Sequence, residues 1–147
     1  MIIYTIGFTQ KSAREFFETI KYRAVQILVD VRLFNSTQLA GFAKKNDLEY
    51  FLEKICNCKY EHKTEYAPTK KILNDYKNEK ITWSEYELQY NFLMDSRKAI
   101  DDFETCYHNR YDSVCLLCAE PTDEHCHRRL FAEKVAEKLK DVEIIPL

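Results

Sequence analysis

The sequence predicts a single α/β domain of three layers, in which a mainly parallel sheet is covered by helices on both faces. Three observations support this prediction. Apolar runs alternate along the chain with segments whose apolar residues recur at helical spacing. Ser113–Cys118 is an almost uninterrupted apolar run, as expected for a strand buried on both faces. The chain has 147 residues, two glycines and three prolines, which fits one domain, 1–147, with short loops.

Strands are predicted where short apolar runs rich in β-branched residues are bounded by polar residues or glycine. Four segments have this pattern: Ile2–Ile6 closed by Gly7, Ala24–Arg32, Ser113–Cys118 and Val142–Ile145. A further short extended piece is predicted at Lys59–His62. Alternation with helices makes parallel neighbours the expected arrangement, but strand order does not follow from it.

Capping patterns and apolar periodicity predict the helices. Ser12–Glu15 and Thr82–Glu85 are capping boxes, and the helix opened by the second is predicted to reach about Phe103. The remaining predicted helices are one opened by Asn46–Glu49 with Leu48, Phe51, Leu52 and Ile55 inward, one with Pro68 in its first turn, and one over Asp123–Lys140.

Charge and composition narrow the classes of protein. The net charge of −2 and the pI near 6.1 argue against unaided affinity for nucleic acid or for an anionic membrane. The longest apolar run, Val114–Ala119, is too short to span a membrane, and Met1 is not followed by the cationic lead of a signal peptide. We therefore expect a cytoplasmic protein whose six cysteines are free thiols, metal ligands or redox groups.

Special residues close three of the predicted strands. Gly7 ends the first, Asp30 and Arg32 end the second, and Cys118 and Glu120 end the fourth. Ligands of parallel α/β sheets usually bind beyond the carboxyl ends of the strands, so these residues predict a site there. Asp30 and Arg32 share a face of an extended strand, and an ion pair to a neighbouring helix is the alternative reading for each.

The segment from Cys118 to Arg128 carries the densest group of reactive residues. Cys126 is predicted to fall in the first turn of the following helix, where the helix dipole favours a thiolate. His127 would add a titratable group and Arg128 a fixed cation. A buried cysteine beside a solvated helix start is the alternative. Cys115 and Cys118 are expected to face opposite sides of their strand, which argues against a zinc knuckle or a thioredoxin-type pair.

Several of these residues stand in an order that resembles a known family. The runs Tyr4–Gly7, Asp30–Arg32, Tyr60–His62, Leu117–Glu120 and Cys126–Arg128 are similar to those of the family of domains of unknown function numbered 488. The resemblance implies a single α/β domain and supplies no reaction. The site positions that it implies are Asp30, Arg32, His62, Cys118, Glu120, Cys126, His127 and Arg128.

The leading functional hypothesis is an intracellular enzyme acting on a small or nucleotide-like anionic substrate. Cys118 or Cys126 would be the thiolate nucleophile and His127 the acid/base, oriented by Asp30 or Glu120. The expected substrate-binding residues are Arg32, Arg128, His62 and Gly7.

Two other classes of function stay open. Cys118, Cys126 and His127 could bind zinc or iron, with Asp30, Glu120 or His125 as a fourth ligand, although seven residues between the cysteines is unusual spacing. The third class is a non-catalytic binding module. Nucleic acid is an improbable partner for it because the chain lacks a basic run.

Overall fold

A computed structural model describes residues 1–36 and 40–147 and contains a five-stranded sheet in which every neighbouring pair is parallel. The strands lie in the order β3-β2-β4-β1-β5. Their bounds are Ile2–Gly7 (β1), Ile27–Asp30 (β2), Lys59–His62 (β3), Ser113–Cys118 (β4) and Glu143–Pro146 (β5). The predicted α/β class and its parallel sheet are confirmed. β2 is shorter at both ends than the predicted Ala24–Arg32.

The register of the strands aligns the predicted site residues along one edge. Gly7 pairs with Cys118, while Asp30 pairs with Leu117 on one side and with His62 on the other. The carboxyl ends of four strands therefore meet in one row. The chain leaves β1 and β4 toward opposite faces of the sheet, and such a switch point opens a crevice at the carboxyl edge.

Helices cover both faces of the sheet. Their bounds are Ala13–Tyr22 (α1), Lys45–Phe51 (α2), Lys70–Lys77 (α3), Trp83–Ser96 (α4), Ala99–Phe103 (α5) and His127–Lys138 (α6). Both predicted capping boxes are present, at Ser12 and at Thr82. None of the helices in the described ranges combines the length and apolar character needed to cross a bilayer.

The core consists of two clusters, one on each face of the sheet. One contains side chains of α3 to α6, and the other contains side chains of α1 and α2. Along β4 the side chains alternate, so that Leu116 and Cys118 belong to the first cluster while Cys115 and Leu117 belong to the second. Cys115 and Cys118 thus face opposite sides, as their spacing on a strand predicts.

Two helix starts differ from the sequence prediction in the first half of the chain. α2 begins at Lys45 after an extended Lys44, without the predicted cap at Asn46, and Ile55 is 41% exposed rather than inward. The amide of Lys45 is held by the carbonyl of Asn35, which starts the helix early. Thr69 is the N-cap residue of α3, since its side chain accepts a hydrogen bond from the amide of Ile72. Pro68 therefore lies before the helix and not in its first turn.

The long helix predicted from Trp83 to about Phe103 is divided. α4 ends at Ser96, and Lys98 adopts a left-handed conformation with φ 52° before α5 starts. Arg97 at the break donates to the carbonyls of Glu65 and Ala67 at 2.9 and 2.7 Å. The turn redirects the chain so that α5 packs into the core.

The last helix begins four residues later than predicted, and this correction bears on the site. α6 starts at His127 with Cys126 as its N-cap residue, so Cys126 precedes the first turn. The carbonyls of Ala119 and Glu120 accept hydrogen bonds from the Thr9 hydroxyl and from Arg128 Nη1. These contacts hold residues 119–126 as a loop between β4 and α6.

Candidate active site at the carboxyl edge of the sheet

A cleft of about 980 Å³ lies at the carboxyl edge of the sheet, where the sequence predicts a site. Arg32, Cys118, Cys126 and His127 line it together with the 119–125 loop, while α3, α4 and residues 79–82 form the opposite wall. Aromatic side chains, Phe8, Tyr76 and Tyr86 among them, supply much of the apolar lining. The size and mixed lining suit a small organic ligand.

Cys118, Cys126 and His127 form a buried cluster at the cleft. One side-chain atom of each, the two Sγ atoms and a ring nitrogen, lie within 4.8 Å of one another. Both ring nitrogens of His127 are 3.9 Å from the Cys118 Sγ. The His127 Nε2 donates to the carbonyl of Val31 at 2.8 Å, which leaves Nδ1 for exchange with the sulfur or a ligand.

The electrostatics of this cluster separate the two cysteines. A hydrogen bond from Cys126 outweighs the effect of burial and, with the charges of His127 and Arg128, lowers the pKa of Cys118 well below its usual value. Burial, together with the neighbouring Cys118, raises the pKa of Cys126 well above its usual value. These surroundings favour the thiolate form at Cys118 and the thiol form at Cys126.

The surroundings of His127 raise its pKa above the usual value. Burial alone would lower its pKa, but the Cys118 charge and the Val31 carbonyl raise it. The Val31 carbonyl performs the orienting role that sequence reasoning gave to Asp30 or Glu120. A backbone carbonyl carries no signature in the sequence, so this partner could not be predicted.

Arg128 supports the cysteines from inside the protein. It is 1% exposed, and its Nη1 donates to the Glu120 carbonyl at 2.8 Å and to the Cys126 Sγ at 3.4 Å. It does not line the cleft, so its charge acts on the sulfurs more directly than on a bound molecule.

Gly7 permits the contact between Arg128 and the 119–126 loop. A Cβ atom at Gly7 would lie 1.6 Å from the Glu120 carbonyl oxygen. Gly7 is absent from the cleft lining and serves the close approach of β1 to the loop rather than a ligand.

Asp30 and Arg32 are joined to each other. Oδ1 of Asp30 accepts from Nε of Arg32 at 2.8 Å and Oδ2 from Nη2 at 2.6 Å. The Tyr60 hydroxyl donates to the same carboxylate at 2.8 Å. The Asp30 carboxylate accepts four hydrogen bonds in all, and none of them comes from His127 among the described residues. Tyr60 was not singled out in the sequence as a partner of Asp30.

One nitrogen of the Arg32 guanidinium, Nη1, is left without a hydrogen-bond partner among the described residues. Its Nη2 also donates to the Ala43 carbonyl, and its guanidinium carbon lies 5.0 Å from the centre of the Phe8 ring. Burial alone would lower the pKa of Arg32, but the bonds and charge of Asp30 raise it. Nη1 is buried and has no partner within residues 1–36 and 40–147. Arg32 is also among the residues that line the cleft, and buried polar atoms are normally hydrogen-bonded.

The other predicted site residues lie farther from the sulfurs. His62 is half-buried, does not line the cleft, and its Nε2 donates to the Arg32 carbonyl at 2.7 Å. Glu120 is exposed at the rim, and His125 packs against Trp83 with ring centres 5.0 Å apart. The rim carries both signs of charge, and its ionisable members are Lys77, Lys80, Glu79, Glu85, Glu120 and Glu124.

Comparison with known proteins gives one family. The profile of a family described as a domain of unknown function, DUF488, matches residues 12–135, which is most of the chain. The chain has no match among curated proteins or among solved structures. Of the site residues described above, the matched range includes all but Gly7 and Phe8.

Proposed function

The chain belongs to the DUF488 family, whose description assigns no reaction, and from its site we propose that it is a thiol-dependent enzyme acting on a small anionic substrate. The observation that carries the proposal is the buried Cys118 Sγ, which lies at the cleft within reach of the Cys126 thiol and the His127 ring. Nucleophilic cysteines in enzymes have such thiolate-stabilising, ligand-accessible surroundings.

The residues can be assigned to steps of a group transfer. The Cys118 sulfur attacks the electrophilic atom of the substrate, and the bond to the leaving group breaks as the new bond to sulfur forms. The leaving group departs with the electron pair and takes a proton from the His127 imidazolium, which lines the same cleft. Neutral His127 then deprotonates a water molecule, whose oxygen attacks and releases the Cys118 sulfur.

Arg32 supports the preference for an anion. Its Nη1 is the buried donor without a partner described above, and a substrate oxyanion would satisfy it. Asp30, Ala43 and Phe8 already hold the guanidinium in place, so little side-chain entropy would be lost on binding. The mixed charges at the rim add no general preference for anions, so Arg32 is the specific determinant.

The proposal is tested with a panel of small carboxylate and phosphate esters as probes. Turnover is expected in the wild-type protein, together with a covalent adduct on Cys118 that is detected by mass spectrometry after acid quenching. Cys118→Ser should abolish both, whereas Cys56→Ser should change neither because Cys56 lies outside the cleft. Full activity of Cys118→Ser on a probe that the wild type turns over would overturn the proposal.

A second candidate function is favoured by the same three residues. The cluster of Cys118, Cys126 and His127 offers two sulfurs and a nitrogen to zinc, and the Val31 carbonyl holds the other His127 nitrogen as metal sites often do. Two features weigh against it. Arg128 lies 3.4 Å from the Cys126 sulfur, and the nearest candidate fourth ligand on β2, Asp30, is occupied by Arg32 and Tyr60.

Metal analysis separates the two candidates. One equivalent of zinc in protein purified without a chelator, lost in Cys126→Ser, would replace the nucleophile by a metal centre. Substoichiometric zinc, together with fast alkylation of Cys118, would favour the thiolate enzyme.

A further inference from the structure

Two sulfur atoms at the cleft lie close enough to react with each other. The Sγ atoms of Cys118 and Cys126 are within 4.8 Å, and neither residue is in a disulfide. The site described so far uses only the Cys118 sulfur as a nucleophile. Cys126, its neighbour, has no step in that reaction.

We propose that Cys118 and Cys126 form a redox pair in which a small hydroperoxide converts the two thiols into a disulfide and so switches the site off. The pairing does not depend on the proposed enzymatic reaction, but the loss of activity rests on it.

The chemistry balances in two steps. The Cys118 sulfur attacks the terminal oxygen of the hydroperoxide, so that an S–O bond forms, the O–O bond breaks, and the departing alkoxide takes a proton from His127. The Cys126 sulfur then attacks the sulfenic sulfur of Cys118, and the S–S bond forms as water leaves with the Cys126 proton. The two thiols lose two electrons in total, and the hydroperoxide is reduced to an alcohol and water.

Access and flexibility both favour this pairing. Cys118 lines the cleft, which admits a small peroxide, and the Cys126 Sγ lies within 4.8 Å of the Cys118 Sγ. Cys126 precedes the first residue of α6, so its side chain can rotate toward Cys118 without unwinding the helix. A disulfide requires the sulfurs to approach to about 2.05 Å. The loop of residues 119–125 between the two cysteines can take up the adjustment.

Disulfide formation would remove both functions of the site sulfurs. The nucleophile would be consumed, and Arg128 would lose the thiol that its Nη1 now contacts at 3.4 Å. The Asp30–Arg32 pair would stay intact, since it includes no bond to Cys126 among the described contacts. Reduction by a dithiol would restore the site.

The test uses the full chain, reduced, dialysed against a chelator, and treated with one equivalent of hydrogen peroxide before remaining thiols are alkylated. Non-reducing peptide mapping is expected to show a Cys118–Cys126 crosslink, reversed by dithiothreitol. Cys126→Ser should accumulate a sulfenic acid on Cys118 that dimedone traps, and Cys118→Ser should form no crosslink. Cys56→Ser, a half-buried cysteine outside the cleft, should behave as wild type.

The two proposals fail separately. A wild-type protein whose Cys118 is oxidised to sulfinic acid while Cys126 remains a free thiol would overturn the redox pair. A crosslinked protein that keeps full turnover of a probe ester would support the pairing and overturn the loss of activity assigned to it. A crosslink in a protein for which no probe is turned over would support the pairing and count against the enzyme.

Discussion

Asp30 and Arg32 form a bidentate ion pair within one strand end, although they are only two residues apart in the chain. The Asp30 carboxylate also accepts from the Arg32 amide at 3.1 Å, which folds the strand end around the pair. Asp30 is completely buried and Arg32 is 4% exposed. The carboxylate therefore holds a buried cation in position at the cleft, and Arg32 presents the free donor.

Asp30→Asn is expected to destabilise the protein by about 3 kcal/mol, because it leaves the buried Arg32 charge without its counter-ion. Urea unfolding at neutral pH measures the change in the free energy of unfolding. Arg14→Ala is the matched control, since the Arg14–Glu18 pair is exposed and worth no more than about 0.5 kcal/mol.

The double variant Asp30→Asn with Arg32→Gln separates stability from binding. Replacing both charges should recover much of the stability lost in Asp30→Asn, since no unpaired charge remains. It should still bind anionic probes poorly, because Nη1 is gone. Recovery of anion binding with recovery of stability would contradict the assignment of Arg32 as the anion donor.

Cys118 is expected to be alkylated faster than the other five cysteines at neutral pH. Its pKa is lowered by Cys126, His127 and Arg128, so the thiolate persists as the pH falls below the range in which ordinary cysteines titrate. Burial, by contrast, raises the pKa of Cys58 to about 12. Iodoacetamide labelling followed by peptide mass spectrometry between about pH 5 and pH 9 gives the rate at each cysteine.

Cys126→Ala provides the internal check on that profile. Because the hydrogen bond from Cys126 is the largest cause of the lowered pKa, its loss should shift the Cys118 profile toward higher pH. An unchanged profile in this variant, or Cys118 labelling no faster than Cys58 at neutral pH, would contradict the charge distribution assigned to the site.

The sequence predicted where these side chains lie on the sheet but not which groups they bind. Strand-end positions and period-two alternation placed Cys118, Asp30 and Arg32 at one edge of the sheet, because both follow from local backbone geometry. The partner of His127 is the carbonyl of Val31, 96 residues away in the chain, and such a contact depends on strand order. Strand order arises from tertiary packing, which leaves no local pattern in the sequence.

The start of α6 and the loop before it were also not predicted correctly from the sequence. Cys126 was expected inside the first helical turn, yet it is the N-cap residue of α6, and Thr9 and Arg128 bind the carbonyls of Ala119 and Glu120 in the preceding loop. These contacts join residues far apart in sequence, and helix propensity does not register them.

Alkaline pH is expected to destabilise the protein steeply, because burial raises the pKa of several core tyrosines. Tyr66, Tyr90 and Tyr107 all have raised pKa values, against an ordinary value of 10.0. A group whose pKa is raised by folding contributes stability below its unfolded pKa and loses it as pH rises further. Each such tyrosine therefore lowers the free energy of unfolding by up to about 1.4 kcal/mol for each pH unit above about pH 10.

Urea unfolding at about pH 7 and about pH 11 measures this loss. Tyr90→Phe is the matched variant. It should lower stability at neutral pH by about 1 kcal/mol, because the bond to the Tyr66 carbonyl is lost. It should also make the decline above about pH 10 shallower. An equal slope in the variant would mean that Tyr90 is ionised in the folded protein.

Gly7→Ala and Gly41→Ala compare the only two glycines of the chain. A Cβ at Gly7 would lie 1.6 Å from the Glu120 carbonyl oxygen, whereas no atom of residues 1–36 and 40–147 lies within 4 Å of one at Gly41. Gly7→Ala must therefore displace the 119–126 loop and should cost about 3 kcal/mol or more. Gly41→Ala should stay within about 0.5 kcal/mol of wild type. Urea unfolding measures both changes.

The same pair of variants tests whether the loop positions the thiols. Displacing the Glu120 carbonyl removes the acceptor of Arg128 Nη1 and moves Cys126 relative to Cys118. In Gly7→Ala, Cys118 alkylation at neutral pH should slow toward that of an ordinary thiol, measured under conditions in which the variant is still folded. Gly41→Ala should leave the rate unchanged. If Gly7→Ala is destabilised but Cys118 keeps its full reactivity, then the Cys118 thiolate does not depend on the hydrogen bond between Arg128 and the Glu120 carbonyl.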